Sequence, residues 1–326
     1  MNDIKRTVGV IGLGLIGGSM AIDLKRRGFA SRVLGVEQVP LNAEAALKIG
    51  LVDEVVPYQE CVERADIIVV AVPVGSAVGL VSDILDKFQA GAEAFPDAFA
   101  RTETTPVIEN SRGPRWSRSD ASGEASAPVW KEKIVIDVCS TKEQICLATH
   151  YHPCRRQFVS THPMAGTEYS GPWAAMPGLF DGRACIFANA EESAPKAVKT
   201  IEELYDVLNM RPIYMNAANH DVHTAYVSHI SHVTSFALAL TVLDKEKDEK
   251  HIFDLASGGF SSTVRLAKSS ADMWVPILTQ NRDNVLHVMD TYIEKMNAFR
   301  EAVANYDEDR IRALIEEANR IKKIIR

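Results

Sequence analysis

Near its amino terminus the chain reads Thr7-Val-Gly-Val-Ile-Gly-Leu-Gly-Leu-Ile-Gly-Gly-Ser19. The apolar residues 7–11 predict a buried strand, and a helix is predicted from about Ser19 to Arg27. Gly12, Gly14 and Gly17 between them form the G-x-G-x-x-G pattern of a dinucleotide-binding turn. Such glycines permit a tight turn, let the backbone approach a pyrophosphate and let the helix pack on the strand. The stretch therefore predicts a Rossmann-type fold.

An acidic residue completes the pattern. The second predicted strand, residues 33–36, is followed at once by Glu37, about 20 residues after Gly17. Its carboxylate would accept hydrogen bonds from the ribose hydroxyls and repel a 2′-phosphate, which favours NAD over NADP. The end of a later strand would border the nicotinamide half. The predicted cofactor-binding residues are Gly12, Gly14, Leu15, Ile16, Gly17, Glu37, Val72, Pro73 and Ser140.

Strands alternate with helices over the first two thirds of the chain, which predicts an α/β fold with a doubly wound, mostly parallel sheet. A helix is expected near 43–49, and further strands are expected at 54–56, 67–72, 134–138, 158–160, 184–188 and 212–215. Residues 89–130 are rich in Pro, Ser, Thr, Ala and Gly, and they are interpreted as an inserted surface excursion.

From about Asn216 the pattern changes to helices with 3.6-residue apolar spacing, at 225–243, 285–303 and 307–325. We therefore expect a Rossmann domain over residues 1–215 and an all-α domain over residues 216–326. The apolar helix 225–243 needs cover on several sides, which predicts a homodimer through the helical domain.

Composition excludes several classes of partner. The 326 residues carry a net charge of −7, with 46% hydrophobic and 24% charged residues, which is typical of a soluble globular protein. The negative charge argues against nucleic acid and anionic membranes as partners. No uninterrupted run approaches the ~18 apolar residues of a membrane span, and the amino terminus does not begin a secretory signal. Five cysteines without metal-ligand spacing favour a reducing, cytoplasmic compartment.

His162 lies at the carboxyl end of a predicted strand, where open α/β sheets bind ligands. A histidine titrates near neutral pH and can take a proton from a substrate hydroxyl, although it could instead cap the turn before Pro163. Ser140 follows another strand at the same edge. It would hydrogen-bond the nicotinamide or His162, and an N-cap of a helix over 141–147 is a compatible alternative.

The helical region contributes two further segments. Ser228 and His232 lie one turn apart on one helix face, and Arg265 follows a glycine-rich turn. Arginine suits the bidentate capture of a carboxylate. His220, His223, His229 and His232 lie close together in the chain. His220 and His229 would nevertheless point ~180° apart on a helix, so no metal site is predicted. Trp274 could line the substrate pocket or pack in the core, and core packing is the favoured interpretation.

Five motifs in this order resemble the prephenate/arogenate dehydrogenase family. They run from about Val8 to Trp274 and read Gly-Leu-Gly-Leu-Ile-Gly-Gly-Ser, Ser-x-Lys (140–142), His-Pro-Met-Ala-Gly-Thr-Glu-x-Ser-Gly, Ser-His-x-x-His and Ser-Gly-Gly-Phe…Thr-x-Arg. The resemblance implies NAD-dependent oxidative decarboxylation of prephenate to 4-hydroxyphenylpyruvate in tyrosine biosynthesis. The same chemistry on arogenate, which gives tyrosine directly, is the alternative.

The resemblance also implies roles for individual residues. His162 would accept a hydrogen bond from the ring hydroxyl, and Ser140 would orient both this histidine and the nicotinamide. Substrate binding would fall to Arg265, which matches a carboxylate-binding arginine, and to His232, Ser228 and Thr167.

Two readings outside the family remain open. Another two-domain NAD enzyme, such as a β-hydroxyacid dehydrogenase, would use a lysine of the helical domain as its catalytic group, whereas the expected base here lies in the first domain. A non-catalytic NAD-sensing protein of the same fold would not need His162, Ser140 and Arg265 together.

Overall fold

The first part of the chain forms one eight-stranded sheet. Its strands are β1 (Thr7–Ile11), β2 (Arg32–Val36), β3 (Glu54–Val55), β4 (Ile67–Val70), β5 (Ile134–Asp137), β6 (Phe158–Pro163), β7 (Ala184–Ala188) and β8 (Arg211–Met215). Their order is β3-β2-β1-β4-β5-β6-β7-β8, and every neighbouring pair is parallel except β6 and β7. The structure, a computed structural model, thus confirms the predicted doubly wound, mostly parallel sheet. It describes residues 6–94, 130–247 and 251–324.

The antiparallel pair has a simple cause. A parallel neighbour needs a crossover connection, usually a helix, on one face of the sheet. The segment between β6 and β7 holds only one short 3₁₀ turn, Pro172–Ala174, so the chain returns beside β6 in the opposite direction. His162 consequently pairs with Ile186 of β7.

In the described part of the first unit, the helices beside the sheet are α1 (Leu15–Arg26), α2 (Pro40–Lys48), α3 (Tyr58–Arg64), α4 (Val74–Ala94), α5 (Glu143–Thr149) and α6 (Pro195–Val207). On one face, side chains of α1 and α6 join the strands in a single buried cluster that includes Met20, Val69 and Ile201. Helices α3 and α4 contact β1 and β5 from the other side. Burial on both faces explains why the central strands read as continuous apolar runs.

Two helix starts differ from the sequence-based expectation. Helix α1 begins at Leu15 rather than near Ser19, because the glycine turn leads directly into the helix and Gly14 is its N-cap. Helix α5 begins at Glu143 with Lys142 at its N-cap position, so the alternative of Ser140 as a helix N-cap is wrong. The predicted excursion at 89–130 lies mostly outside the described residues, since α4 is described to Ala94 and the chain resumes at Trp130.

The chain divides into two units, Met1–His220 and Asp221–Arg326, and the division falls within helix α7 (Ala217–Thr224). The helices that follow are α8 (Ile230–Glu246), α9 (Gly258–Thr263), α10 (Ala271–Gln280), α11 (Arg282–Ala304) and α12 (Glu308–Ala318). Residues 221–247 and 251–324, the described part of the second unit, contain no strand. A π-helical turn, Ala225–His229, lies between α7 and α8. The last predicted helix is shorter than expected, because α12 gives way to a 3₁₀ turn at Asn319–Lys323.

One helical stretch is apolar enough to span a membrane, although it contains no long uninterrupted run of apolar residues. The 30 residues Ala217–Glu246 have a mean hydropathy of 1.3 over their most apolar window, of which 11% is buried, and by length and composition alone they could cross a membrane. The count of uninterrupted apolar runs missed this stretch, because isolated polar residues interrupt it. The core helices of soluble proteins meet the same test, and apolar helix faces are also used between subunits.

Candidate active site

The glycine turn has the geometry that a bound pyrophosphate requires. Gly12 adopts φ +95°, and a Cβ there would lie 2.4 Å from the carbonyl oxygen of Ala71. A Cβ on Gly17 would lie 2.1 Å from the carbonyl oxygen of Gly12, so helix and strand approach too closely for any side chain. A Cβ on Gly14 would meet nothing within 4 Å, which leaves open space at the N-terminus of α1. No side chain caps this helix, so the partial positive charge of its N-terminus faces that space.

The backbone beside the turn holds Glu37 in place. The N–H of Leu13 donates to Oε2 of Glu37 at 3.2 Å, and the N–H of Val39 donates to Oε1 at 3.0 Å. The carboxylate is therefore fixed between the glycine turn and the start of α2. Val72 lies on the other side of the turn, with its Cγ1 3.2 Å from the Cβ position of Gly12. The structure thus brings Gly12, Glu37 and Val72 together around the turn.

His162 lies at the same edge of the sheet. Ile11, Val70, Asp137 and Ser160 form one row across the parallel strands β1, β4, β5 and β6. Gly12 is one residue past this row and His162 is two residues past it, so both lie at the carboxyl edge, where this class of sheet binds ligands. Ser140 follows β5 at this edge and is partly exposed.

A second histidine, which the sequence analysis assigned no role, contacts His162. Nδ1 of His162 and Nε2 of His220 are hydrogen-bonded at 2.8 Å, with ring centroids 5.0 Å apart and the ring planes at 65°. His220 is 1% exposed and belongs to α7. The two residues are 58 positions apart, and no local pattern could have predicted the pair.

A buried ion pair lies beneath the strand that carries His162. Lys142 and Asp137 are both completely buried and form a salt bridge. Lys142 Nζ also donates to the carbonyl oxygen of Thr161 at 2.7 Å. Burial disfavours the charge of Lys142, but the attraction and hydrogen bond of Asp137, together with the neighbouring cysteines, outweigh burial and raise the pKa of Lys142 above its ordinary value. Lys142 therefore stays charged and tethers the residue that precedes His162.

Asp137 is fully hydrogen-bonded around this charge. Its Oδ1 accepts from the hydroxyl of Ser160 at 2.9 Å and from the N–H of Thr161 at 3.3 Å, and its Oδ2 accepts from the N–H of Cys139 at 3.0 Å. The ion pair thus links β5, the segment that follows it, and β6. The Ser-x-Lys motif and the acid at the end of β5 were visible in the sequence, but their pairing was not predicted.

The second unit brings together the other predicted residues. Nδ1 of His232 donates to the carbonyl oxygen of Ser228 at 3.1 Å, and its ring stacks on Trp274 with centroids 3.6 Å apart. Burial and the nearby cation of Arg265 lower the pKa of His232, although the hydrogen bond to Ser228 opposes them. His232 is therefore neutral at pH 7, with Nε2 as a hydrogen-bond acceptor. Trp274 is buried, as expected, and its indole N–H has no acceptor among the described residues.

Arg265 and Thr167 are also accessible to a ligand. Arg265 is exposed at the start of a 3₁₀ turn, Arg265–Lys268, and Thr167 is partly exposed in the loop after β6. Within the described ranges, no three His, Cys, Asp or Glu side chains are grouped as metal ligands. His229 instead contacts Asn281, at 3.1 Å from its Nδ1.

Two family models match the chain. The model described as prephenate dehydrogenase, nucleotide-binding domain, matches residues 20–92 and 122–214, and the model described as prephenate dehydrogenase, dimerization domain, matches residues 216–317. The chain belongs to the prephenate dehydrogenase family. The first match is interrupted between residues 92 and 122, within the segment that the sequence analysis interpreted as an insertion.

Relatives of known name support the same assignment. The prephenate dehydrogenase of Bacillus subtilis is 28% identical over 95% of this chain and 74% of the relative, and the cyclohexadienyl dehydrogenase of Zymomonas mobilis is 26% identical over 93% and 90%. Among solved structures, the prephenate dehydrogenase of Aquifex aeolicus in complex with hydroxyphenyl propionate and NAD⁺ has a TM-score of 0.78 at 23% identity, covering 98% of each chain. Synechocystis arogenate dehydrogenase has a TM-score of 0.67 at 22% identity, covering 97% of this chain and 99% of that one. These structures show the shared fold.

Proposed function

We propose that this member of the prephenate dehydrogenase family catalyses the NAD-dependent oxidative decarboxylation of prephenate to 4-hydroxyphenylpyruvate. The observation that carries the proposal is the position of His162, at the sheet edge that also holds the glycine turn. A base at this edge can reach a substrate that lies against a nicotinamide. In the proposed division of roles, residues 1–215 bind NAD, and residues 216–326 bind substrate and form the dimer.

The residues at the sheet edge fit NAD. Gly14 leaves room for the pyrophosphate at the N-terminus of α1, where backbone N–H groups favour an anion. Leu15, Ile16 and Gly17 would line the same first turn, with Val72 and Pro73 on the nicotinamide side. The fixed carboxylate of Glu37 would accept from the ribose hydroxyls.

The residues of the protein would orient the substrate and transfer its hydroxyl proton. The bound NAD supplies the hydride acceptor. His162 would take the proton of the ring hydroxyl as hydride leaves the carbon that carries this hydroxyl. Loss of CO₂ would then make the ring an aromatic phenolate, to which the protonated His162 would return the proton. Ser140 would hold the nicotinamide in place, whereas His162 is already hydrogen-bonded through Nδ1 to His220. Because aromatisation drives the reaction, orientation of the reacting groups is the main requirement.

Substrate binding is assigned to Arg265, His232, Ser228 and Thr167. Arg265 is exposed and suits a carboxylate, whereas the neutral His232 offers an acceptor at Nε2. Ser228 holds His232 through its carbonyl group. Prephenate carries two carboxylates, so Arg265 is expected to contribute much of the affinity.

The deciding experiment measures NADH formation by the purified protein with prephenate and arogenate in parallel. Turnover with prephenate supports the proposal, and turnover with arogenate alone replaces the substrate by its amino analogue. If NAD binds and neither substrate turns over, a non-catalytic NAD-sensing role or another hydroxy acid as substrate replaces the proposal.

Glu37→Ser is expected to raise the Kd for NAD roughly tenfold or more, because a charge-assisted hydrogen bond to ribose contributes ~1.5–3 kcal/mol. The same change should narrow the preference for NAD over NADP, since the repelling carboxylate is gone. Fluorescence titrations with NADH and with NADPH measure the two dissociation constants and hence the preference. Glu44→Ser, an exposed acid on α2, is the matched control, and an equal effect of the control would contradict the ribose contact.

Arg265→Ala is expected to raise the KM for prephenate by roughly 10–100-fold with a smaller effect on kcat, because a ground-state carboxylate contact is lost. Since the Arg265 cation lowers the pKa of His232, that pKa should also rise in the variant, which NMR titration detects without turnover. Lys268→Ala on the same turn is the control. An unchanged KM would remove Arg265 from the substrate site.

We further propose that the protein is a cytoplasmic homodimer joined through its helical unit. Residues 216–317 match a family model described as a dimerization domain. In this region α8 exposes apolar side chains, with Leu240 63% and Leu243 48% exposed. All five cysteines are unpaired thiols, as in a reducing compartment.

Leu240→Glu is expected to convert the dimer to monomer, because a charge would be buried in an apolar interface. Light scattering and sedimentation measure the mass. Leu147→Glu, which changes a leucine 68% exposed on α5, serves as the control. A wild-type protein that is monomeric at micromolar concentration would contradict the proposal.

A further inference from the structure

The contact between His162 and His220 determines which nitrogen of His162 can act as the base. One of the two imidazoles must donate in a hydrogen bond between Nδ1 of His162 and Nε2 of His220. If His220 were the donor, His162 would carry its proton on Nε2, and neither nitrogen could accept a substrate proton. If His162 is the donor, its Nε2 holds the lone pair that a general base needs.

We infer that His220 is a positioning residue, which accepts the Nδ1–H of His162 and so presents Nε2 of His162 to the substrate hydroxyl. This inference rests on the proposed function. It goes further by assigning the tautomer of the base and the residue that sets it.

The surroundings of His220 suit this role. His220 is 1% exposed, so a solvent water cannot replace its ring as the acceptor for His162. The residue belongs to α7, the helix that follows β8. When His162 takes a proton, its Nδ1–H becomes part of a cation, and the bond to the neutral His220 becomes charge-assisted. His220 therefore stabilises the protonated base as well as fixing its orientation, in the way that buried hydrogen-bond partners orient other catalytic histidines.

Two substitutions separate orientation from packing. His220→Met fills similar space without an acceptor, whereas His220→Gln can place its carboxamide oxygen near the position of Nε2. We expect His220→Met to lower kcat by roughly 100-fold with little change in the KM for prephenate or NAD, and His220→Gln to retain most of that activity. In the Met variant the acid limb of the pH–rate profile should also move to lower pH, because the protonated base has lost its acceptor. The Asp137–Lys142 pair, which contacts the same strand, is unchanged in both variants.

A measurement that needs no turnover tests the role of His220 separately from the proposed enzymatic function. Nitrogen-15 NMR of the wild-type holoenzyme should show His162 protonated on Nδ1 at neutral pH. A proton on Nε2 of His162, or equal kcat and pH profiles for the Met and Gln variants, would overturn the inference. If the wild-type protein showed no turnover, the proposed function would be contradicted. The NMR spectrum would still decide whether His220 accepts the Nδ1–H of His162. His223→Met, an exposed histidine on α7, should leave all of these quantities unchanged.

Discussion

His162→Asn is expected to lower kcat by roughly 10²–10⁴-fold, the range that a positioned general base contributes. Asparagine preserves the size of the side chain but cannot take a proton. The hydrogen bonds that hold Glu37 come from Leu13 and Val39, so the Kd for NAD should stay within about twofold of the wild-type value. Stopped-flow measurement of NADH formation and a separate cofactor titration give the two quantities.

The control for this change is His150→Asn. His150 belongs to the same unit and forms an ion-pair contact with Glu192 at 3.2 Å, away from the glycine turn. The control should retain wild-type kcat. Turnover by the His162 variant above about a tenth of the wild-type rate would remove His162 from the catalytic role.

Lys142→Met is expected to lower the free energy of unfolding by about 3–5 kcal/mol, because it leaves the carboxylate of Asp137 buried without its counter-ion. Both side chains are completely buried, so solvent cannot screen the remaining charge. The substitution also removes the donor to the carbonyl of Thr161, which precedes His162. We therefore expect kcat to fall in the molecules that remain folded. Urea denaturation followed by circular dichroism measures the stability.

The double variant Asp137→Asn/Lys142→Met separates charge from packing. It removes the unpaired charge and keeps an acceptor for the neighbouring N–H groups, so it should recover a substantial part of the lost stability. Lys131→Met, at a lysine exposed on the surface, should change stability by less than about 0.5 kcal/mol. A loss below about 1 kcal/mol in the single variant would show that the ion pair contributes little.

The nucleotide-binding half was predictable because its signals are local. Gly12 must adopt a positive φ, and Gly17 has no space for a side chain, so the glycine spacing itself encodes the turn. Glu37 was located by its distance from Gly17 and by the end of β2. The positions of the strands followed from apolar runs buried on both faces, although β4 ends at Val70 rather than at residue 72 and β6 extends to Pro163 rather than to residue 160. The first residue of α1 was not predicted, since backbone geometry and not a polar cap begins that helix.

The substrate half was predictable only in part. The stack of His232 on Trp274 joins residues 42 positions apart. The sequence favoured a core position for Trp274, with the substrate pocket as the alternative, and did not predict its contact with His232. Helix α8 leaves the apolar side chains of Leu240 and Leu243 exposed, and cover by a partner subunit stays a prediction. The length and mean hydropathy of Ala217–Glu246, which would allow a membrane span, were not predicted, because isolated polar residues interrupt its apolar run.

The amino-acid sequence by itself determined the sheet, the glycine turn, Glu37 and the position of His162 at a strand end. Each depends on residues that are close in the chain or on the period of apolar positions. Only the tertiary structure decided what holds His162. The hydrogen bond to His220 crosses 58 residues, and the tether from Lys142 to Thr161 crosses 19. Such contacts depend on how strands and helices pack, and packing brings together side chains whose separation in the chain carries no signal of their meeting.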